Sequence, residues 1–425
     1  DPFLVVDMPD RSYTLRGNRD GFRDELVKDF PGDKEDIDRM LAGLEALQKD
    51  AVTAQRMLYG GRPPVLDSMM VKLMTRLNVA ALPWGLVLRM PFNADAVLKY
   101  WVKNEKLRSV IHSSWGYLGL PPKRLSGVMM EIFVGMQCME HTYYPVGSSQ
   151  KLADVMAEAF REHGGTLLLN SPVRKILAEK GRVRGVELAD GTTAYAGTVI
   201  SNADARHTYG SLLEPGQAPA GFLKRLEKMP ISMGPFRVSL GLDYNVAEHG
   251  MDHHEYMIFP GYDHEETYRA MERGEPAALS VYSPTKICPE LAPPGHSTLI
   301  LNTLLPWRPE KDWRGRREEV AAEMIAAVEK KRLPGLSKHI VVKQVLTPED
   351  LQELTNSSEG SMYGWANTAE QVLTRRMSMK SPVKGLYHVG HWTRLGTGVT
   401  TAIISGWMLG NRLTGWAGKF FDKLL

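Results

Sequence analysis

Residues 385–406 read Gly-Leu-Tyr-His-Val-Gly-His-Trp-Thr-Arg-Leu-Gly-Thr-Gly-Val-Thr-Thr-Ala-Ile-Ile-Ser-Gly. A short apolar strand, Leu386 to Val389, runs into a turn whose backbone freedom comes from Gly390, Gly396 and Gly398. An apolar helix follows. A strand that turns through glycines into a helix aims free backbone N–H groups, and the positive end of a helix dipole, at one spot. Such a spot suits an anionic or electron-rich group. The same pattern also serves an ordinary strand–turn–helix that uses glycine for close packing, so the segment alone leaves both readings open.

Two upstream segments bear on the choice. One is Tyr143-Tyr144-Pro145-Val146-Gly147-Ser148-Ser149-Gln150, leading into a helix from about Lys151 to His163 and then Gly164-Gly165. The other comprises Val173-Arg174-Lys175-Ile176, Gly185-Val186-Glu187-Leu188-Ala189-Asp190-Gly191, and Val199-Ile200-Ser201-Asn202-Ala203-Asp204. In this order, and with the C-terminal segment, they resemble the phytoene desaturase and carotenoid isomerase branch of the FAD-dependent amine-oxidase-like flavoproteins. The resemblance runs from Asp1-Pro2-Phe3 to about Leu413.

Members of that family open with a strand, a Gly-x-Gly-x-x-Gly turn and a helix that together hold the ADP half of FAD. This sequence has no such fingerprint. Gly396-Thr-Gly398-Val-Thr-Thr401 lacks the third glycine, and Gly60-Gly61-Arg62-Pro63-Pro64 cannot open a helix in that way. The first residues resemble a family segment that follows the nucleotide-binding unit. The expectation is a fragment without its N-terminal βαβ unit, a processed product and one half of a split protein being the alternatives.

At 425 residues the chain can bury a large core in two or more structural units. A net charge of +3, with no Lys/Arg stripe interleaved with aromatics, gives no reason to expect nucleic acid. Cys138 and Cys288 make neither a disulfide framework nor a C-x-x-C pair, which fits a reducing, intracellular compartment. Cys138 sits in the apolar run Ile132 to Met139 and is expected to be a buried small hydrophobe.

Along the chain, residues 3–16 alternate as a hairpin turning at Pro9-Asp10-Arg11. Gly17 to Phe30 reads as a helix stopped by Pro31-Gly32. Asp33 to Leu58 reads as a long amphipathic helix with Ile37, Met40, Leu41, Leu44 and Leu47 on one face. Val65 to Phe92 is rich in Met, Leu and Val. It carries Asp67, Lys72, Arg76 and Arg89, so it lacks the roughly 18 uncharged apolar residues of a spanning helix. Either a helical cap over a cavity or a membrane-dipping surface accounts for it. Leu413, Trp416, Ala417, Phe420, Phe421 and Leu424 follow helical spacing, with Arg412, Lys419 and Lys423 among them. That pattern suits an interfacial helix or one packed on the protein. From Tyr143 the pattern becomes α/β. Strands are expected at Thr166 to Leu169, Val173 to Ala178, Val183 to Leu188, Val199 to Ser201, Phe236 to Asp243 and Leu299 to Leu305. Helices are expected at Arg316 to Lys331 and from Thr347-Pro348.

The fold expected is mixed α/β (α+β). A partial Rossmann-like FAD-binding domain is interleaved with a substrate domain of antiparallel sheet and helical cap. The parts are residues 1–142 (substrate domain and cap), 143–215 (FAD-binding), 216–360 (substrate domain), 361–413 (FAD-binding) and 414–425 (amphipathic tail helix).

The resemblance names seven candidate cofactor contacts. The backbone at Val173 would read the adenine edge, the other reading being an inward-packing strand residue. Asn202 would lie beside the dinucleotide, or cap the next helix. Gly390, Gly396, Gly398 and Val399 match the second flavin motif, with the helix N-terminus at Val399 facing the pyrimidine end of the flavin. His391 stands where many relatives have an acid, and would bond a phosphate or face solvent. Relatives show a second glycine where Ser148 stands; Ser148 could cap the helix that follows. Tyr363-Gly364-Trp365 resembles a wall segment leading to the flavin face, or is an aromatic packing corner. Asp252, His253, His254, Asp263 and His264 match no metal spacing and read as a solvated loop.

What the resemblance implies is an FAD-dependent oxidoreductase, with hydride transfer or isomerisation on a long apolar polyene or lipid-like molecule. The enzyme would be cytoplasmic and peripheral on the inner membrane face through its C-terminal helix. Two alternatives stay open: an amine-oxidase-like enzyme on a small soluble substrate, and a truncated, non-enzymatic apolar-ligand-binding fragment. No catalytic side chain is assigned.

Overall fold

A computed structural model describes residues 2–59, 84–139, 143–372, 376–394 and 396–414. Its twelve described strands are β1 (Pro2–Asp7), β2 (Ser12–Arg16), β3 (Val173–Glu179), β4 (Arg182–Leu188), β5 (Thr193–Tyr195), β6 (Val199–Ser201), β7 (Gly234–Leu242), β8 (Glu255–Ile258), β9 (Leu279–Tyr282), β10 (Ser297–Leu305), β11 (Ile340–Leu346) and β12 (Leu386–His388). They form a seven-stranded sheet in the order β11-β7-β10-β9-β8-β1-β2, a three-stranded sheet β3-β4-β5, and a parallel pair β12-β6. The large sheet is antiparallel except where β1 lies parallel to β8. The mixed α/β class is thereby met.

One face of the large sheet packs on the helix Arg317–Lys331. Val320, Met324 and Val328 meet Phe236, Val238, Leu240, Tyr256, Leu299 and Leu301 there. These strand residues alternate with the ones facing the other way, the period-2 pattern of a sheet. The opposite face looks toward a helical layer in which Leu98, Leu107, Ile111 and Trp115 form a core with Met257, Phe259 and Leu304. The helix Lys34–Tyr59 joins this core through Ile37, Met40, Leu41 and Leu44, while Leu47 is buried against Val128. A third core surrounds the parallel pair and includes Ile176, Val183, Tyr209, Trp365, Leu386 and Trp392.

Local signals explain many boundaries. Asn18 caps the helix Arg19–Asp29 by accepting from Gly21 N at 2.7 Å. Thr347 and Asp350 form a reciprocal capping box at the start of Pro348–Thr355. Lys180 and Gly181 take positive φ (49° and 73°) to join β3 to β4, as a tight hairpin turn requires.

Several expectations are corrected. Thr166 to Leu169 is not a strand: among the described residues no neighbouring strand pairs with it, and Leu168 and Leu169 are exposed. Ser148 does not cap the helix Ser148–Glu162. It carries positive φ (87°), and the cap position is Gly147, without a side-chain bond. Asn202 caps nothing; Asp204 does so, accepting from His207 N at 2.8 Å. In β6 only Ser201 is buried. The polar cluster is not a solvated loop throughout. His264 is buried between Trp115 and Phe259 and bonded to Ser109, and Asp263 caps the helix His264–Arg273. The Met-rich stretch before Trp84, and the tail after Thr414, lie outside the described residues. Among the described residues, no helix is long and apolar enough to cross a membrane.

The sheet's far edge is fastened through a buried ion pair. Asp7, at the end of β1, is fully buried and accepts from Arg332 Nε and Nη2, both at 2.6 Å, and from Ser12 Oγ at 2.6 Å. Removing Asp7 strips the largely buried Arg332 guanidinium of its carboxylate and leaves it only Ser12 Oγ and the Tyr256 ring. Asp7→Ala is therefore expected to lower stability by about 3–5 kcal/mol, read as a fall in the urea midpoint. A loss under about 1 kcal/mol would mean the pair is solvated in solution.

Candidate active site

The parallel pair brings the glycine turn beside the end of β6. Leu386, Tyr387 and His388 pair with Val199, Ile200 and Ser201, so Gly390 emerges next to Asn202. Gly390 has φ +84°, and a Cβ there would collide with Asn202 Oδ1. Its N–H donates to Ser405 Oγ at 2.7 Å, tying the turn to the helix Val399–Thr414. Gly390 is thus a packing glycine, with its amide already engaged. The open approach lies further on. Gly398 has φ +108°, and a Cβ there would meet only Thr401 Oγ1, at 3.7 Å. Val399 is 66% exposed, and the first-turn N–H groups have no carbonyl four residues back within the helix.

Four polar side chains around this turn carry buried atoms that have no partner. Arg376 donates to Gln371 O, Trp365 O and Asn367 Oδ1 but leaves Nη1 unbonded, and a Cβ on Gly396 would sit 2.9 Å from that atom. Burial pulls the Arg376 guanidinium down to about 10, so it remains a cation at neutral pH. His391 Nε2, Arg394 Nε and both ring nitrogens of His388 are also unbonded. Burial pushes His391 down to about 4, helped by the nearby Arg376, so its ring is neutral. Unpaired buried polar groups are costly and call for a partner. A cation, neutral imidazoles and helix N–H groups around an open glycine backbone suit the phosphates and carbonyls of a dinucleotide.

The structure therefore gathers Asn202, Gly390, His391, Gly396, Gly398 and Val399 at one turn. Val173 stands apart on β3, at an edge of the three-stranded sheet, and is 37% exposed. Arg376 and His388 escaped the sequence reading. A buried arginine three residues past the end of an apolar segment carries no pattern of its own.

From the turn, a chain segment leads to a cavity. Trp365 Nε1 donates to Trp392 O at 2.9 Å, and the two indoles meet edge to face. Next to it, Gly364 has φ +66°, and a Cβ there would be 2.6 Å from the His391 ring. Tyr363 follows, its hydroxyl donating to Gly116 O at 2.8 Å. Tyr363 lines a cavity of about 330 Å³ together with Trp115, Tyr117, Tyr144, Phe259 and Met271. Tyr363 thus lines the cavity, and Trp365 forms an aromatic packing corner with Trp392.

The cavity floor is the large sheet. Register aligns two rows of side chains across four strands: Ser239, Ile300, Tyr282 and Glu255 in one, Arg237, Asn302, Ser280 and Met257 in the other. Glu255 reaches the cavity from a site otherwise enclosed by protein. Burial raises its carboxyl to about 7, against the opposing bonds from Tyr117 and Ser280, the latter at 2.9 Å. These residues were also missed. The available signal was polar side chains at alternate positions of otherwise apolar strands.

Glu255 supplies a pH test. Its folded pKa is raised above the ordinary 4.5, so the fold holds a proton that the unfolded chain has lost. Stability at this site is greatest below the unfolded pKa and falls as pH rises toward 7. Glu255→Gln is expected to add about 2–3 kcal/mol at pH 8, and less than about 1 kcal/mol at pH 5. Equal denaturant midpoints for the two proteins at pH 8 would contradict the raised value.

A parallel pair with a glycine turn, beside a mostly antiparallel sheet that carries a half-open cavity, is the mixed α/β architecture of amine-oxidase-like flavoproteins. The chain belongs to the flavin containing amine oxidoreductase family, whose model matches residues 7–409. Its cofactor is FAD. It is 30% identical over 419 residues to the phytoene desaturase (neurosporene-forming) of Rhodobacter capsulatus, covering 96% of this chain and 77% of that one. It is 28% identical over 339 residues to the chloroplastic prolycopene isomerase of Arabidopsis thaliana, covering 76% of this chain but 54% of that one. Among solved structures, putrescine oxidase with bound putrescine superposes with a TM-score of 0.59 at 14% identity. The match covers 97% of this chain and 81% of that one, a likeness of fold alone.

Proposed function

We propose that this chain carries the substrate domain and the flavin-half contacts of an FAD-dependent oxidoreductase of the phytoene desaturase and carotenoid isomerase type. It would act on a long apolar polyene by hydride transfer or isomerisation. The observation that carries this is the continuity from the glycine turn, through His391, Gly364 and Tyr363, to an aromatic cavity on the sheet. Gly396, Gly398, Val399 and Arg376 would hold the anionic part of FAD, Asn202 and His391 would flank it, and Val173 would meet the adenine. Bound FAD supplies the redox chemistry. The protein's share is to hold the substrate chain against aromatic walls and exclude water.

A further nucleotide-binding unit belongs to this reading. The helix Ser148–Glu162 buries none of its residues. It shows Leu152, Val155, Met156 and Phe160 to solvent on one face. Leu168, Leu169, Ile200 and Val399 are exposed as well. An apolar helix face is normally covered, and a βαβ unit carrying the pyrophosphate turn is the cover that a flavoprotein requires. Peripheral contact with a membrane is a further part of the reading. Exposed Val87, Leu88 and Phe92, near exposed Lys99, support it.

A second reading, a smaller soluble substrate, is favoured by the cavity size, which is near the low end of the roughly 300–1,000 Å³ common for ligand sites. One experiment separates the two. The full-length protein is purified, its absorbance is recorded for flavin bands, and it is incubated anaerobically with a panel of polyenes and a panel of small amines. Flavin bands with polyene conversion support the first reading. Flavin bands with amine turnover replace it by the second. A full-length protein without flavin ends both.

A further inference from the structure

The cavity wall is mostly apolar, yet it carries a cation without a counter-charge. Arg237 lies on the cavity face of β7, with Nε buried and unbonded, and it has no ion pair among the described residues. Its cross-strand neighbour Asn302 leaves Oδ1 unbonded, and Trp115 leaves Nε1 unbonded on the wall. Among the described residues the one carboxyl that lines the cavity, Glu255, is engaged with Ser280 and Tyr117 instead. A guanidinium keeps its charge and offers five donors. Sealing it under a plain hydrocarbon would leave those donors dry and unpaired, which is unfavourable. An occupant that stabilises the site must bring acceptors and negative charge to Arg237 and apolar surface to the rest. A planar carboxylate matches the fork of a guanidinium, and the Asn302 amide can turn its NH₂ end to the same group. A phosphate would call for several cations, and among the described residues only Arg237 brings one to this wall.

We propose that the cavity takes an apolar chain ending in a carboxylate, with Arg237 and Asn302 holding the carboxylate and the aromatic wall holding the chain. This rests on the reading of the cavity as the substrate site, and it narrows the substrate to an acid-ended molecule.

The test is calorimetric titration of the full-length, flavin-loaded protein with four probes. Retinoic acid and oleic acid carry the carboxylate on a polyene and on a simple chain. Retinol and squalene lack it. Retinoic acid is expected to bind about tenfold to a hundredfold tighter than retinol, the worth of a charge-assisted bond. Oleic acid binding as well as retinoic acid supports the carboxylate and identifies a fatty acid as the natural class; oleic acid binding more weakly supports a polyene acid. Arg237→Gln should erase the acid-over-alcohol preference, and Arg237→Lys should keep part of it. If Arg237→Gln fails to fold, Asn302→Ala serves in its place, with a severalfold loss for the acids alone. Equal binding of acid and alcohol by the unaltered protein overturns the proposal, as does an acid preference that survives Arg237→Gln. The two levels fail separately. Flavin bands and squalene-like binding without acid preference sink this proposal and leave the enzyme reading standing. Acid preference in a protein without flavin does the reverse.

Discussion

Gly390→Ala is expected to strip the flavin from the loaded protein, with at least a tenfold loss of affinity read from flavin fluorescence released on dilution. Two effects combine. The position has φ +84°, where an L side chain costs about 1–2 kcal/mol. The new methyl would also meet Asn202 Oδ1, forcing β6 and the turn apart where six of the candidate contacts gather. The two contributions can be separated. Adding Asn202→Ala removes the collision but not the strain, so the double variant should recover part of the affinity. Flavin content equal to the unaltered protein in the single variant would show that the turn can shift without affecting the cofactor.

Acid should unfold this protein early and steeply. His112, His264, His388 and His391 are held by burial at about 3, 4, 3 and 4, well below the ordinary 6.5. A histidine depressed in the fold contributes nothing adverse above pH 6.5. Below it, the unfolded chain takes up a proton that the native chain refuses, so stability falls as pH drops toward the folded value. Between pH 6.5 and 5 each group costs about 2 kcal/mol, and the four together reach about 8 kcal/mol. That rivals the whole stability of a typical domain, about 5–15 kcal/mol. Urea midpoints at pH 6.5, 6 and 5 measure it. His388→Phe should flatten the slope by one histidine's share. A midpoint that holds steady down to pH 5 would contradict neutral burial of these rings.

The local elements were legible because their causes are local. The helix Lys34–Tyr59 announces itself through Ile37, Met40, Leu41, Leu44 and Leu47, and all five are buried. The β3–β4 hairpin follows from Lys180-Gly181, and the glycine turn from its own spacing. Thr166 to Leu169 failed because a strand needs a partner that a local pattern cannot supply. Cap assignments at Ser148 and Asn202 failed by a residue or two, the distance over which competing polar side chains trade roles. The cavity floor was out of reach for a different reason. Arg237, Glu255, Ser280 and Asn302 are scattered along the chain and become neighbours only through the order β7-β10-β9-β8, a topology that no local pattern encodes. Likewise the unpaired charge on Arg237 is a property of its surroundings, not of its type.

The pairing of β1 with β8 sets a schedule for synthesis. Val5 finds its partner Tyr256, and Asp7 its partner Arg332, only when those residues have left the ribosome. At roughly 5–20 residues per second, the wait between Asp7 and Arg332 lasts about 15–60 s. Through that interval the β1–β2 hairpin, only marginally stable by itself in water, has the helices that follow it to cover its apolar face, through Phe22, Leu26 and Ile37. The sheet is therefore completed late, by contacts of long sequence separation, which form slowly. A nascent chain of this design carries β1 without its inner neighbour, and Asp7 without its counter-charge, until Tyr256 and Arg332 have been made.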